Sequence, residues 1–525
     1  MKVRPFLAVV LLVALVLLGL GLGGWWLVWE RSPLQLQRQP LRVPLAARFV
    51  PRTAPLALYL LADAEQPVTY ARAVAPTRER RAAAAAVERL RDGAFAAAGL
   101  DYNGELSSWL GPEVSLALFG TAEEPAADGW LLALRSRSDQ GARRFLQRFW
   151  QTRSLAGTDL QISRYRGMGL ISGRGALRGQ NPTPLATALI DDDLVLIGSG
   201  RGVLEQALDV SQIEELNQAA DPHFQERLEQ LGRGVAVLRA RPAALRRWFG
   251  MPASLAADDT VSDLVAALRP QGSDLRLEGL LQWKGPAPAL EPAEPAGPLA
   301  QLRGGSRELL LLQNPAALLE SPLAPWLGPL EDPDPASPLP ALVAAHDDGP
   351  LLWSDTPEGW VLGSGIDRPD PAALEASLQA SGLVMAPLAL EGSSPEPPVQ
   401  VWTRLSLAAG RGERELTASL AGARTLAEGW AWWGENLAVL DTQRSGRGGP
   451  QGRLAQLAAL EAPTAPLQRA MAAEPARRFL ETWRPWQLLS GLAGSPLAEP
   501  VGGAAFAVEP AGDSLRLRAR LELAG

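Results

Sequence analysis

A stretch near the middle of the chain returns at its end, and this repeat constrains the fold more than any other feature. Pro270, Gly272, Leu275, Arg276 and Leu277 match Pro510, Gly512, Leu515, Arg516 and Leu517 at a constant spacing of 240 residues (270 against 510). Trp109-Leu110-Gly111-Pro112 returns as Trp326-Leu327-Gly328-Pro329, and Gly129-Trp130 as Gly359-Trp360. The matches keep their order, and their spacing widens toward the C-terminus as insertions in a duplicated chain would make it. Between the copies, residues 284–298 read KGPAPALEPAEPAGP, whose prolines fit neither helix nor central strand. The organisation expected is a cytoplasmic tip and membrane anchor (1–29), a tether (30–44), a first module (45–283), a linker (284–299) and a second module (300–525).

Each module mixes strands and helices. Leu515, Leu517, Ala519, Leu521 and Leu523 alternate with Arg516, Arg518, Arg520 and Glu522, giving a strand with one apolar and one polar face. The arginine face is expected to be solvated, with docking of an acidic partner as the other reading. Short apolar runs at 114–119, 130–134, 194–197 and 235–238 read as strands. Helices are expected over 77–98, with Gly99 as its stop, and over 140–150, 201–208 and 222–231. The second copy lacks a counterpart of the 77–98 helix. With no regular βαβ period, the expected class is α+β: an N-terminal transmembrane helix, then two tandem modules of antiparallel sheet with helices packed on one face.

Residues 6–28 carry no charge and consist largely of Leu, Val, Ala and Gly. As a helix such a run would be about 34 Å long, enough to cross a bilayer. Lys2 and Arg4 precede it, and Trp25, Trp26 and Trp29 mark its far end. The length and the missing small-residue cleavage site favour an uncleaved signal anchor over a signal peptide. Gly19 and Gly23 form G-x-x-x-G, a candidate face for a dimer made through the span.

Chemistry is mostly excluded by composition. The chain has no Cys, two histidines (His223 and His346) and a net charge of −7. Thiolate sites, histidine-rich metal centres and general nucleic-acid binding are therefore not expected. No nucleophile elbow or phosphate-binding loop occurs. Asp191-Asp192-Asp193 reads as a solvated turn, because adjacent strand residues face opposite ways and cannot converge on a cation. His346-Asp347-Asp348-Gly349 reads as a turn rather than a metal site, lacking a second histidine nearby. No catalytic carboxylate pair can be picked from 57 Asp and Glu. No catalytic residue, cofactor or metal is assigned.

Tryptophan is the unusual component, at 17 residues against 10 Phe and 4 Tyr. Trp430, Trp432 and Trp433 cluster, with Trp402 upstream. These four are the candidate binding surface, an aromatic platform for a protein or apolar ligand; the competing reading is a core filled by large rings. If the segment is a strand, Trp430 and Trp432 share a face.

A strand at 56–60, then Asp101-Tyr102-Asn103, Leu106 and Trp109-Leu110-Gly111-Pro112-Glu113 leading into VSLALF, and later a helix at 224–231 before a strand at 234–239, form a recognisable series. The series resembles the cyanobacterial family catalogued as domain of unknown function thirty-three fifty-two. The resemblance implies a single-span protein with a large domain and no assigned activity, and it supplies no site residues. The protein is thus expected in a plasma or thylakoid membrane, with its bulk in the periplasm or lumen. There it would act as a non-catalytic binding or assembly module, with the bilayer and a protein or apolar ligand as partners. A carrier of lipid or another apolar ligand, and an envelope hydrolase, are the alternatives.

Overall fold

The computed structural model describes residues 32–120, 129–155, 160–175, 183–249, 251, 260–285, 299–321, 323–330, 338–346, 349–366, 370–388, 399–409, 414–446 and 448–523. Among them, twenty strands join one antiparallel sheet. The first ten are β1 (Leu56–Leu60), β2 (Leu110–Phe119), β3 (Gly129–Ser136), β4 (Gln161–Tyr165), β5 (Met168–Gly175), β6 (Thr183–Ile190), β7 (Leu194–Gly198), β8 (Ala236–Ala240), β9 (Val261–Gln271) and β10 (Asp274–Trp283). The second ten are β11 (Glu308–Leu312), β12 (Leu351–Thr356), β13 (Gly359–Gly365), β14 (Leu383–Leu388), β15 (Val399–Ala409), β16 (Arg414–Ala427), β17 (Trp430–Gly434), β18 (Leu467–Ala472), β19 (Val501–Ala511) and β20 (Ser514–Leu523).

Pairing runs β4-β5-β6-β7-β3-β2-β1-β8-β9-β10 through the first half. It continues β20-β19-β18-β11-β12-β13-β17-β16-β15-β14 through the second. Adding ten to each strand of the first half gives the order of the second, mirrored about the β10–β20 pair. In that pair Glu278 stands opposite Arg518, its own counterpart at the 240-residue spacing. A pseudo-two-fold axis therefore passes between these two residues. Divergence there matters physically, because an unchanged duplicate would set like charges against each other across the axis. The hairpins flanking the axis turn at Gly272 and Gly512, both with positive φ (58° and 65°), which a glycine tolerates without strain.

Three expectations are corrected. The two tandem modules are one continuous sheet, because β10 and β20, each the end strand of its half, hydrogen-bond to one another over eight residue pairs. Helices cover both faces rather than one. In the first half, Leu204, Leu208, Phe224 and Leu228 pack on one side and Phe145, Phe149 and Trp150 on the other. In the second, Val439, Leu440 and Leu457 oppose Leu342, Leu374 and Leu378. The reason is visible in β7 and β11, buried at every residue, which need cover on both sides. Lastly, an N-terminal transmembrane helix, and with it the single-pass signal anchor in a plasma or thylakoid membrane, is not shown by the structure. Among the described residues no helix is long and apolar enough to cross a membrane. The 18-residue helix Arg80–Ala97 carries Arg80, Arg81, Glu88, Arg89, Arg91 and Asp92, charges that a hydrocarbon core would not accept. Residues 6–28, including Gly19 and Gly23, lie outside the described residues, as does 286–298 of the linker.

Local signals explain most element positions. The helix Pro222–Leu231 begins with Asp221, whose side chain accepts from the His223 N–H, has proline at its first position and stops at Gly232 (φ 69°). Gly129-Trp130 and Gly359-Trp360 open the equivalent strands β3 and β13. By contrast, Trp109-Leu110-Gly111-Pro112 leads into β2, while its match lies in the 3-10 helix Ala324–Leu330. The helix Arg80–Ala97, without a counterpart of its length before β12, serves the junction of the halves. Gly93 brings it against the helix Arg484–Ala493 so closely that any side chain there would collide with the Leu492 carbonyl. Nearby, Trp483 Nε1 donates to the Phe249 carbonyl (3.2 Å) and Arg484 to that of Arg247 (2.8 Å).

A buried ionic network anchors the first half. Asp263 on β9 accepts from Arg227 of the helix Pro222–Leu231 (2.5 Å) and from Arg239 on β8 (2.9 Å), and Arg239 also reaches Asp221 (2.8 Å). Arg227 further donates to Gln282 on β10 (2.6 Å). One helix and three strands are thereby locked in register.

Candidate functional site: an arginine row at the seam

The face of the sheet that carries the two helical covers Pro222–Leu231 and Gln451–Ala458 shows a cleft between them, at the pseudo-two-fold axis. Its volume is about 190 Å³, and Arg233, Arg269, Arg276, Arg518 and Arg520 line it with Glu278 and Glu461. That is room for several waters, at roughly 30 Å³ each, or for one compact ligand.

The floor is built by strand register. Arg269 on β9 lies directly opposite Arg276 on β10, and Arg276 lies directly opposite Arg520 on β20. Three guanidinium side chains thus stand in one row across three adjacent strands, on one face. Like charges directly opposed destabilise a sheet, so each needs an anion. Arg520 has its own in Asp274, with Glu522 at 3.7 Å. Arg276 takes Glu461, at 3.0 Å. Among the described residues the Arg269 side chain makes no hydrogen bond or ion pair and acts on Glu461 only through space. Arg233, exposed at the rim, has no carboxylate partner among the described residues.

The pseudo-symmetric position holds no such row. The counterparts of Arg269, Arg276 and Arg520 are Glu509, Arg516 and Leu280, so the site exists once per chain. Beside the row, Arg518 pairs with Glu509 (3.1 Å), and Glu278 sits between Arg516 (3.6 Å) and Arg518 (3.9 Å).

Glu461 occupies the row from outside. It sits in a turn after the helix Gln451–Ala458 with left-handed backbone (φ 57°), a conformation few side-chain-bearing residues adopt. Its carbonyl accepts from Arg518, and its side chain is 71% exposed. The Arg276 hydrogen bond holds its carboxyl below the usual carboxylate range, with the charges of Arg269 and Arg518 adding to the effect.

The tryptophans singled out by sequence lie elsewhere. Trp402 and Trp433 are fully buried in the core that spans both halves, and Trp432 in the opposite core, with Trp430 half-buried beside it. Trp430 and Trp432 do share a face, their rings 6.5 Å apart. Two of the three fully buried rings face a glycine across the strand pair: Gly422 lies opposite Trp402 and Gly363 opposite Trp432. These rings fill cores and leave no open aromatic platform.

Asp191 and Asp192 form the positive-φ turn between β6 and β7, where Asp192 pairs with Arg143 (2.5 Å). His346 is buried, its Nδ1 2.6 Å from the Leu342 carbonyl and its ring edge-on to Trp433; Asp347 and Asp348 lie outside the described residues. Among the described residues no group of three His, Cys, Asp or Glu side chains could hold a metal.

Sequence reading reached Arg518 and Arg520 of the cleft, with Arg516 beside it, and expected them solvated. They are half-buried and ion-paired instead. Arg269, Arg276, Glu278 and Glu461 went unrecognised as a site. The shared Arg276–Arg516 match was a signal, but the β10–β20 pairing that assembles the row was not.

Fold and cleft together define a pseudo-two-fold, twenty-stranded antiparallel α+β protein with an arginine-lined cleft at its axis. The chain belongs to the family described as "Protein of unknown function (DUF3352)", which matches over residues 10–303, more than half of its length. The match ends just before β11 and so spans the first ten strands. No curated protein matches the chain. Among solved structures, crystal forms I, IV and III of TP0453 are similar at 9% identity. Their TM-scores are 0.28, 0.25 and 0.25, and each covers 46% of this chain and 80%, 80% and 79% of its own. A likeness this slight has no bearing on function.

Proposed function

We propose that this protein is a non-catalytic binding module that receives an acidic ligand or partner in the cleft at the axis. One observation carries the reading: of the five arginines that line the cleft, Arg233 and Arg269 have no carboxylate partner among the described residues, in a chain whose net charge is −7. A local excess of cation on an acidic protein focuses the field on that spot and draws anions to it. The tryptophan-lined carrier has less support, since Trp402, Trp432 and Trp433 are consumed by core packing. So has the hydrolase. The buried Glu113, raised by burial, already accepts from the Ala46 N–H (2.9 Å), while Asp221, where burial is outweighed by Arg239, and Glu461, bonded to Arg276, are held low. A general acid would need a raised, uncommitted carboxyl.

The test is native mass spectrometry of the full chain, purified gently, beside an Arg276→Gln/Arg518→Gln variant checked for an unchanged melting temperature. An acidic species retained by the wild type and lost from the variant is expected. Equal retention by both proteins overturns the reading.

A further inference from the structure

We infer that the arginine row is a binding site for a compact polyanion, a phosphate or a di- or tricarboxylate, and that Glu461 is its built-in competitor, occupying Arg276 until the ligand displaces it. The inference rests on the binding role proposed above and gives it a ligand chemistry.

The arrangement has three parts. Arg269, Arg276 and Arg520 stand abreast on adjacent strands, a juxtaposition that disfavours the sheet unless anionic charge sits over it. The protein supplies that charge incompletely. Asp274 and Glu522 neutralise Arg520, and Glu461 neutralises Arg276, but among the described residues Arg269 is left with no direct partner and Arg233 at the rim with none. In addition, Arg276 Nε is buried and makes no hydrogen bond. Guanidinium groups offer several donors in a fixed fork and suit carboxylate and phosphate oxygens equally.

Glu461 is suited to leaving. Its carboxylate reaches Arg276 from an exposed turn, so it can move into water without disturbing a core. The hydrogen bond from the Arg518 guanidinium to the Glu461 backbone carbonyl holds the turn while the Glu461 side chain swings. An arriving anion would accept from Arg276, Arg269 and Arg233 in place of one carboxylate, gaining two cations that the protein itself leaves unmatched. The cleft's volume, about 190 Å³, selects compact ligands.

The two unmatched arginines make a clean test. Arg233→Gln/Arg269→Gln removes no side-chain hydrogen bond or ion pair seen among the described residues and relieves like-charge repulsion in the row, so its melting temperature should not fall below that of the wild type. Isothermal titration of the full chain with inorganic phosphate, and separately with succinate and citrate, reads the affinity and tells phosphate from carboxylate ligands. The double variant should lose about tenfold or more, the scale of one charge-assisted hydrogen bond. Glu461→Gln should gain about tenfold by removing the competing charge. Added salt should weaken every arm, as screening of a partly exposed site requires. An affinity that the arginine variant leaves unchanged, or that Glu461→Gln leaves unchanged or lowers, overturns the inference. So does a failure of all three anions to bind more tightly than chloride. That failure would leave the wider binding role standing if the native-mass test still showed a species lost with Arg276 and Arg518.

Discussion

Replacing Asp263 with alanine is expected to lower the unfolding free energy by about 3–5 kcal/mol, the range for breaking one side of a buried ion pair. Asp263 is 4% exposed and is the shared acceptor of Arg227 and Arg239, themselves buried. Removing it leaves Arg227 in the interior with no carboxylate partner and Arg239 with Asp221 alone. The penalty comes from those stranded charges rather than from the lost attraction itself. Asp263→Asn should fall between the two, since an amide oxygen still accepts hydrogen bonds but carries no charge. Urea titration checks both through a drop in midpoint at unchanged slope. The same network sets the response to acid. Burial acts to raise the Asp221 carboxyl, but Arg239 outweighs it and the folded value is depressed. A depressed carboxyl contributes stability above its unfolded value, near 3.9, and loses it as pH falls through the lower folded value. Melting temperature should therefore decline below about pH 4, and less steeply in Asp221→Asn.

Truncating Trp432 to alanine should cost about 3–5 kcal/mol, as large aromatic deletions in closed cores do. Its ring is 1% exposed and lies over Gly363 on the paired strand, where a Cβ would strike it. The residue beneath the ring has no side chain to swing into the space. Gly363→Val should destabilise comparably from the other direction, by collision rather than by a void. Trp430→Ala, at a half-buried ring on the same face, should cost distinctly less. Denaturant midpoints of the three variants give the order. Anion affinity at the cleft should be unaffected in those that fold, since Trp430, Trp432 and Gly363 are not among the residues that line it.

The repeat shows how much of the fold is local. The alternating leucines at 515–523 marked β20, and the match across 240 residues tied it to β10 as a repeat, because strand facing is decided by a few adjacent residues; the hairpins and their turns came from the structure. The helix at 222–231 was legible for the same reason, with its aspartate cap, its leading proline and its closing glycine. The Trp-Leu-Gly-Pro match shows the limit: four identical residues lead into a strand in one half and form a 3-10 turn in the other, since their neighbours in space differ. The tryptophan cluster marked a place of heavy packing, yet composition could not tell an open platform from a filled core. The glycines opposite the rings decide that, and they come from other strands.

By itself, then, the sequence determined the alternation of the C-terminal strand, the helix at 222–231 and the family. Only the tertiary structure decided that the halves share one sheet, that helices cover both of its faces, and that Arg269, Arg276 and Arg520 stand in a row. Hydrogen-bonding of one end strand to another, 240 residues away, depends on which edges remain unpaired after each half has formed, and no local pattern encodes that choice. The charge of each arginine is written in the chain; its neighbours across the seam are set by register.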